Sequence, residues 1–216
     1  MKKYVLLFCS VLMGCSDMDR GSFEEASIIA VGDSVFEWHL WTGRSAPERL
    51  GQALDRPVYN AAISGALVTD GVEESIPNQY IEGDWDWVIV DGGANDLADL
   101  CQCNECTVTQ NNIEKTISEF VTDRTAEGQR VVLWSYYVLP DNARFGFENC
   151  HDDFDELRQR HKTIADADPN VIWVNGADII SGEKSRHFYA DRIHPSRLAA
   201  KMIGQQIAQA IEEFEQ

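Results

Sequence analysis

Gly32-Asp33-Ser34 follows the first apolar run beyond residue 26, and Asp191-Arg192-Ile193-His194-Pro195 precedes the last helical stretch. Together the two segments hold a hydroxyl nucleophile, an imidazole base and a carboxylate to orient the base, the groups that acyl transfer through a covalent intermediate requires. Asp191 and His194 stand at i and i+3, which places both side chains on one side of a turn, so the carboxylate can hold the imidazole N–H and fix its tautomer. Pro195 disfavours helical backbone at His194 and is expected to open the last helix at its first position, where a missing N–H costs nothing. Gly32 permits a sharp exit from the preceding strand, leaving Ser34 at a helix start. Taken singly, each segment also fits a capping turn, the second with a surface histidine.

A developing oxyanion needs donors, each worth about 10²–10³ in rate. Three candidates are present: the backbone N–H of Ser34, the backbone N–H of Gly65 and the side-chain amide of Asn95. Gly65 also reads as a turn glycine, and Asn95 as the N-cap of a short helix over residues 96–100.

Apolar runs rich in β-branched and aromatic residues at 27–31, 57–63, 85–90, 130–137 and 170–174 predict five strands. Helical periodicity marks 46–54, 110–126, 152–167 and 196–214, the last with an apolar stripe from Leu198 to Phe214. Near-continuous apolar strands alternating with helices predict a parallel sheet covered on both faces, an α/β fold of three layers, doubly wound. In such sheets ligands bind beyond the carboxyl ends of the strands. Gly32-Asp33-Ser34, Ser64-Gly65, Gly92-Gly93-Ala94-Asn95-Asp96 and the Asp191 segment follow the first, second, third and fifth strands, so all fall on that edge.

With those blocks in place, the chain resembles the SGNH hydrolases of the GDSL esterase/lipase superfamily, from about Ile28 to the C-terminus. The four residues that name the group map onto Ser34, Gly65, Asn95 and His194, with Asp191 three before the histidine. The resemblance implies a flavodoxin-like αβα fold, a Ser-His-Asp site acting on esters or thioesters, and no metal or other cofactor. Its one mild departure is Val35-Phe36, where the group more often has a leucine-containing continuation. A Gly-x-Ser-x-Gly elbow and the glycine-rich nucleotide motifs are missing from the sequence. Two readings besides hydrolysis remain open at this point: acyl transfer to a glycan by the same residues, and a glycan-binding protein without turnover. His39, His151, His161 and His187 have no partner at a telling spacing and read as surface or satisfied core residues.

The chain has 216 residues, 44% hydrophobic and 25% charged, enough for one domain over residues 27–216. Lys2 and Lys3 precede an apolar run over residues 4–13 that is too short to cross a bilayer and has the layout of an export signal. Leu12-Met13-Gly14-Cys15 resembles a lipobox, which implies a signal peptide over 1–14, lipidation of Cys15 and an acidic tether over 15–26. An ordinary signal peptide with a chance cysteine is the alternative. Ser16 suggests, by the same resemblance, sorting to the outer membrane, with the enzyme on the periplasmic side. Cleavage would change the formal charge from −18 to −20, a surface that repels nucleic acid and anionic headgroups. The expected partners are therefore a small-molecule or glycan ester and, through the lipid alone, a membrane.

Cys101, Cys103, Cys106 and Cys150 are an even set in an exported chain and read as two disulfides. A Cys101–Cys103 bridge closes too small a ring, leaving Cys103–Cys106 with Cys101–Cys150, or Cys101–Cys106 with Cys103–Cys150. A zinc knuckle at Cys103 and Cys106, completed by Cys150 or His151, is the competing reading. Trp38, Trp41, Trp134, Tyr136, Tyr137, Phe145 and Phe147 are candidates for an aromatic rim, most of them expected to be core.

Overall fold

A computed structural model describes residues 19–216; the signal peptide and the Cys15 lipidation site read from the sequence lie outside the described residues. Five strands, β1 (Ile28–Val31), β2 (Val58–Asn60), β3 (Trp87–Val90), β4 (Arg130–Ser135) and β5 (Val171–Asn175), form one parallel sheet in the order β2-β1-β3-β4-β5. The central strands carry the most apolar runs because helices cover both faces: every residue of β1 and β3 is buried. The described helices are α1 (Ser34–Glu37), α2 (Ala46–Leu54), α3 (Ala94–Asp96, continuing as a π turn over Leu97–Cys101), α4 (Thr107–Ala126), α5 (His151–Asp166) and α6 (Arg197–Phe214). Helices α2 and α6 pack on each other, as do α4 and α5. The chain leaves β1 for one side of the sheet and later returns to the other, so the switch point lies between β1 and β3. Val31 and Val90 are in register there, which sets the residues that follow the two strands side by side.

Local chemistry accounts for the sharpest boundary. Ser45 caps α2 in a capping box with Glu48, and Pro47 sits in the first turn, so the helix begins at Ala46 as its sequence predicts. Strand β2 is shorter than its apolar run. Past Asn60 the chain stays beside β1, with Ala61 N–H donating to the Ala30 carbonyl (2.8 Å) and Ile63 N–H to the Gly32 carbonyl (3.1 Å), but turns away before extending the ladder. Pro195 does not open the last helix. Ser196 is the cap, its Oγ accepting from Ala199 N–H, and α6 starts at Arg197. Pro195 instead forms an isolated antiparallel bridge with Phe188, a position where its missing N–H is equally harmless.

The disulfides are Cys101–Cys106 and Cys103–Cys150, with Cα separations of 5.3 and 5.0 Å. The three cysteines of the alternative zinc knuckle, Cys103, Cys106 and Cys150, are thus all taken up in disulfides. Cys103–Cys150 ties the loop after β3 to the start of α5, where the loop that follows β4 ends. Part of the segment read as a tether packs on the domain: Arg20 donates to the carbonyls of Asn60 and Ala62 (both 2.9 Å), and Phe23 lies edge-on to Tyr59 and Trp85. Among the described residues no helix is long and apolar enough to cross a membrane.

Candidate active site

Helix α1 is a single turn held from below and from the side. Asp33 caps it, Oδ1 accepting from Val35 N–H (2.9 Å), while Tyr136 donates its phenol to Oδ2 (2.6 Å). Val35 and Phe36 are buried, and Phe36 meets Trp134 at 5.6 Å between rings, so the departure from the usual leucine is absorbed as core packing. Gly32 is needed for space rather than for a positive φ. A Cβ there would come within 3 Å of both the Asp91 carboxyl and the Phe36 ring. The Gly32 N–H goes to Gln79 Oε1 (2.8 Å) and the Asp33 N–H to Asp91 Oδ1 (2.9 Å). Ser34 is left at the start of the turn, half-buried, on a rigidly bonded backbone.

At the other end of the chain, Asp191 and His194 meet as their spacing predicts. The ring Nδ1 lies 2.9 Å from Asp191 Oδ2, while Oδ1 accepts the N–H groups of Ile193 (2.9 Å) and His194 (3.0 Å). Burial pushes the Asp191 carboxyl up, but these hydrogen bonds outweigh it and hold the group below the usual carboxylate value. An ionised Asp191 accepts only, so Nδ1 carries the proton and Nε2 presents its lone pair. Tyr137 completes the support, donating its phenol to the Ile193 carbonyl (2.6 Å). Adjacent tyrosines at the end of β4 therefore brace the two halves of the site, Tyr136 through Asp33 and Tyr137 through Ile193.

Ser34, Gly65, Asn95 and His194 all line one cavity of about 350 Å³ beyond the carboxyl ends of β1 and β3. Gly65 has φ +79° and nothing within 4 Å of where a Cβ would stand, so its requirement is the left-handed backbone itself. Asn95 lies inside α3, whose N-cap is Gly93, rather than capping a helix. Its amide donates one hydrogen to the Ala66 carbonyl (3.0 Å), which orients the group and leaves a second N–H. The loop carrying Gly65 is pinned from α3: Asp96 accepts the N–H groups of Val68 (2.9 Å) and Thr69 (3.0 Å) and the Thr69 hydroxyl (2.7 Å). No hydrogen bond joins Ser34 Oγ to His194 Nε2 among the described residues; such contacts often tighten only when substrate binds.

The remainder of the cavity is apolar, walled by Leu139, Phe145, Phe147 and Phe154. The Cys103–Cys150 bridge anchors the far end of the segment that carries the first three. Of the seven rim candidates, Trp38, Tyr136, Tyr137, Phe145 and Phe147 line the cavity, whereas Trp134 is buried in the core and Trp41 is 56% exposed outside the cavity. The other histidines are not equivalent to His194. His161 is fully buried against Ser135 Oγ (3.0 Å), and burial lowers its pKa to about 3. His187 is buried, its Nδ1 accepting from Ser181 N–H.

Beneath the α1 turn lie two buried carboxyls to which the sequence reading gave no role, Asp33 and Asp91. Burial and the nearby Asp33 push Asp91 well above the usual carboxylate value of 3.8. Its Oδ2 is buried with no hydrogen-bond partner, so Asp91 holds the proton and the doubly donated Asp33 carries the charge. The folded state then binds more protons than the unfolded chain once pH exceeds 3.8, and stability falls with rising pH until the raised value is passed. Asp91→Asn cannot ionise and keeps an oxygen for the Asp33 N–H. Thermal midpoints measured against pH will therefore move in favour of the variant as pH rises from acid to neutral; parallel curves would contradict this protonation state.

The fold and this cavity define a three-layer α/β hydrolase. The model of the GDSL-like Lipase/Acylhydrolase family matches residues 30–201, and the chain belongs to that family, whose members act on ester bonds. No curated protein matches the sequence. Among solved structures the chain is similar to Est24, a carbohydrate acetylesterase from Sinorhizobium meliloti, with 16% identity and TM-score 0.67 over 87% of this chain and 99% of that one. It is also similar to a catalytic mutant of Axe2, an acetylxylan esterase from Geobacillus stearothermophilus (22% identity, TM-score 0.61, 87% and 92% covered). TesA has 20% identity and TM-score 0.67, with 87% and 98% covered. At these identities the likeness is one of fold.

Proposed function

We propose that the chain hydrolyses carboxylic esters with Ser34 as nucleophile, His194 as general base and Asp191 as the group that orients it. The observation that carries this reading is the 2.9 Å Asp191–His194 contact, which aims a lone pair into the cavity that Ser34 also lines. His194 takes the proton of Ser34 as Oγ attacks the ester carbonyl, and Asp191 stabilises the imidazolium. The oxyanion is met by the N–H groups of Ser34 and Gly65 and the free amide hydrogen of Asn95. His194 then protonates the leaving alkoxide, and water releases the acyl group by the same steps in reverse order. The apolar wall from Leu139 to Phe154 takes the acyl chain. In keeping with the lipobox-like Leu12–Cys15 segment, the enzyme works from a lipid anchor on Cys15, on the periplasmic side of an outer membrane. Carbohydrate esterases among the structural relatives make an O-acetyl glycan one substrate to include in a panel.

A fluorophosphonate probe tests the reading. It should label the protein on Ser34, located by peptide mass spectrometry, and an excess of a short-acyl ester present during labelling should slow it. Labelling elsewhere, or none in folded protein, would overturn the assignment.

A further inference from the structure

Nucleophile and base come from opposite ends of the chain, and His194 lies in a stretch between β5 and α6 that has only short 3₁₀ turns. Something must hold that stretch in register with α1, since a misplacement of about 1 Å at such a site costs about 10²-fold in rate. Two consecutive residues do so from the end of the nucleophile turn. Trp38 N–H closes α1 by donating to the Ser34 carbonyl (2.8 Å), so Ser34 and Trp38 are the two ends of one turn. The Trp38 indole lies flat on the His194 ring, with centroids 3.7 Å apart and planes 4° from parallel. Trp41 and Tyr189 pack edge-on against the same indole at 5.5 and 5.4 Å and keep it from turning.

The next residue grips the next position of the base segment. His39 is 4% exposed and has φ +73°, a left-handed backbone sparsely populated by non-glycine residues and kept only where the surroundings enforce it. That backbone lets Nε2 donate to the carbonyl of Pro195 (3.0 Å). Residues 38 and 39 thus hold residues 194 and 195, one through a ring face and one through a hydrogen bond.

We infer that Trp38 and His39 are positioning residues that register His194 against Ser34, an inference that rests on the reading of those two as base and nucleophile. The stack has a second consequence. The electron-rich face of the indole lies against the ring that becomes cationic during the reaction, where a cation is attracted. Both effects act on the chemical step rather than on substrate binding.

The test uses the chain as expressed, with Trp38→Leu, Trp38→Phe, His39→Leu and His39→Gln, each followed by kcat, KM, thermal midpoint and the proton NMR shifts of the His194 ring. In Trp38→Leu, kcat on p-nitrophenyl acetate should fall about 10²-fold with little change in KM. Trp38→Phe, which keeps a flat ring, should recover most of the loss, and His39→Gln, which keeps a donor, should lose less than His39→Leu. The His194 ring protons should be shifted by the indole ring current in the wild type and lose that shift in Trp38→Leu. If Trp38→Leu does not fold, the two His39 variants carry the same comparison. Leucine variants within twofold of wild-type kcat would overturn the inference, as would conservative variants that lose as much activity as the leucine ones with matching falls in thermal midpoint. The NMR arm, run on Ser34→Ala protein, reads the stack without turnover. An inactive wild type with shifted His194 resonances would sink the esterase reading alone, and unshifted resonances in an active wild type would sink the stack.

Discussion

Ser34→Ala will lower kcat on p-nitrophenyl acetate by about 10⁴-fold or more, leaving the residual rate that oriented donors alone supply. The expectation follows from geometry at the end of β1. Ser34 Oγ is the hydroxyl that shares the cavity with His194, Gly65 and Asn95 at the start of a turn whose cap is another residue, Asp33. Removing it deletes the attacking atom and none of the hydrogen bonds that hold α1, since Asp33 Oδ1 still accepts Val35 N–H and Trp38 N–H still reaches the carbonyl of residue 34. The thermal midpoint should therefore stay close to that of the wild type, as for a substitution that touches no packing or buried hydrogen bond. A variant that keeps full turnover would end the account of Ser34 as nucleophile, because an alanine there has nothing with which to attack.

Asp191→Asn should cost about as much, on the order of 10⁴-fold in kcat, with the loop intact. The side-chain oxygen of Asn can still accept the N–H groups of Ile193 and His194, the contacts that shape the segment. The amide nitrogen then faces His194 Nδ1 in place of Oδ2, and an NH₂ group donates. Nδ1 must accept, the ring proton moves to Nε2, and the nitrogen facing the cavity no longer has a lone pair for the Ser34 proton. Asp191→Ala removes the backbone contacts as well and should lower the thermal midpoint in addition to the rate. If Asp191→Asn kept kcat within tenfold of the wild type, the carboxylate would not be setting the tautomer of the base.

Much of the fold was legible because its signals are local. Ser45, Pro47 and Glu48 define the start of α2 within one turn, and the apolar runs of β1 and β3 are buried along their whole length. Boundaries slipped where a local preference had more than one outlet. Ala61-Ala62-Ile63 is apolar enough for a strand and does run beside β1, but lies past the last partner that would extend the ladder. Pro195 suits a first helical position and suits equally an edge bridge with Phe188, and Ser196 is the better cap. Two disulfide pairings satisfied ring size alike, both joining the loop after β3 to the start of α5, and the tertiary structure has Cys101–Cys106 with Cys103–Cys150.

The chemical groups and the order in which they meet the edge of the sheet were determined by sequence alone. So was the Asp191–His194 pair, whose partners are three residues apart and meet within a single turn. Tertiary structure decided the contacts that make those groups into a site: Tyr136 on Asp33, Tyr137 on Ile193, the proton on Asp91 and the indole of Trp38 against His194. These partners are 56 or more residues apart, or depend on others that are. Their meeting is set by strand order and register, which rest on backbone hydrogen bonds that every sequence can make, and by burial, which acts on Asp91 only after the sheet has closed around it.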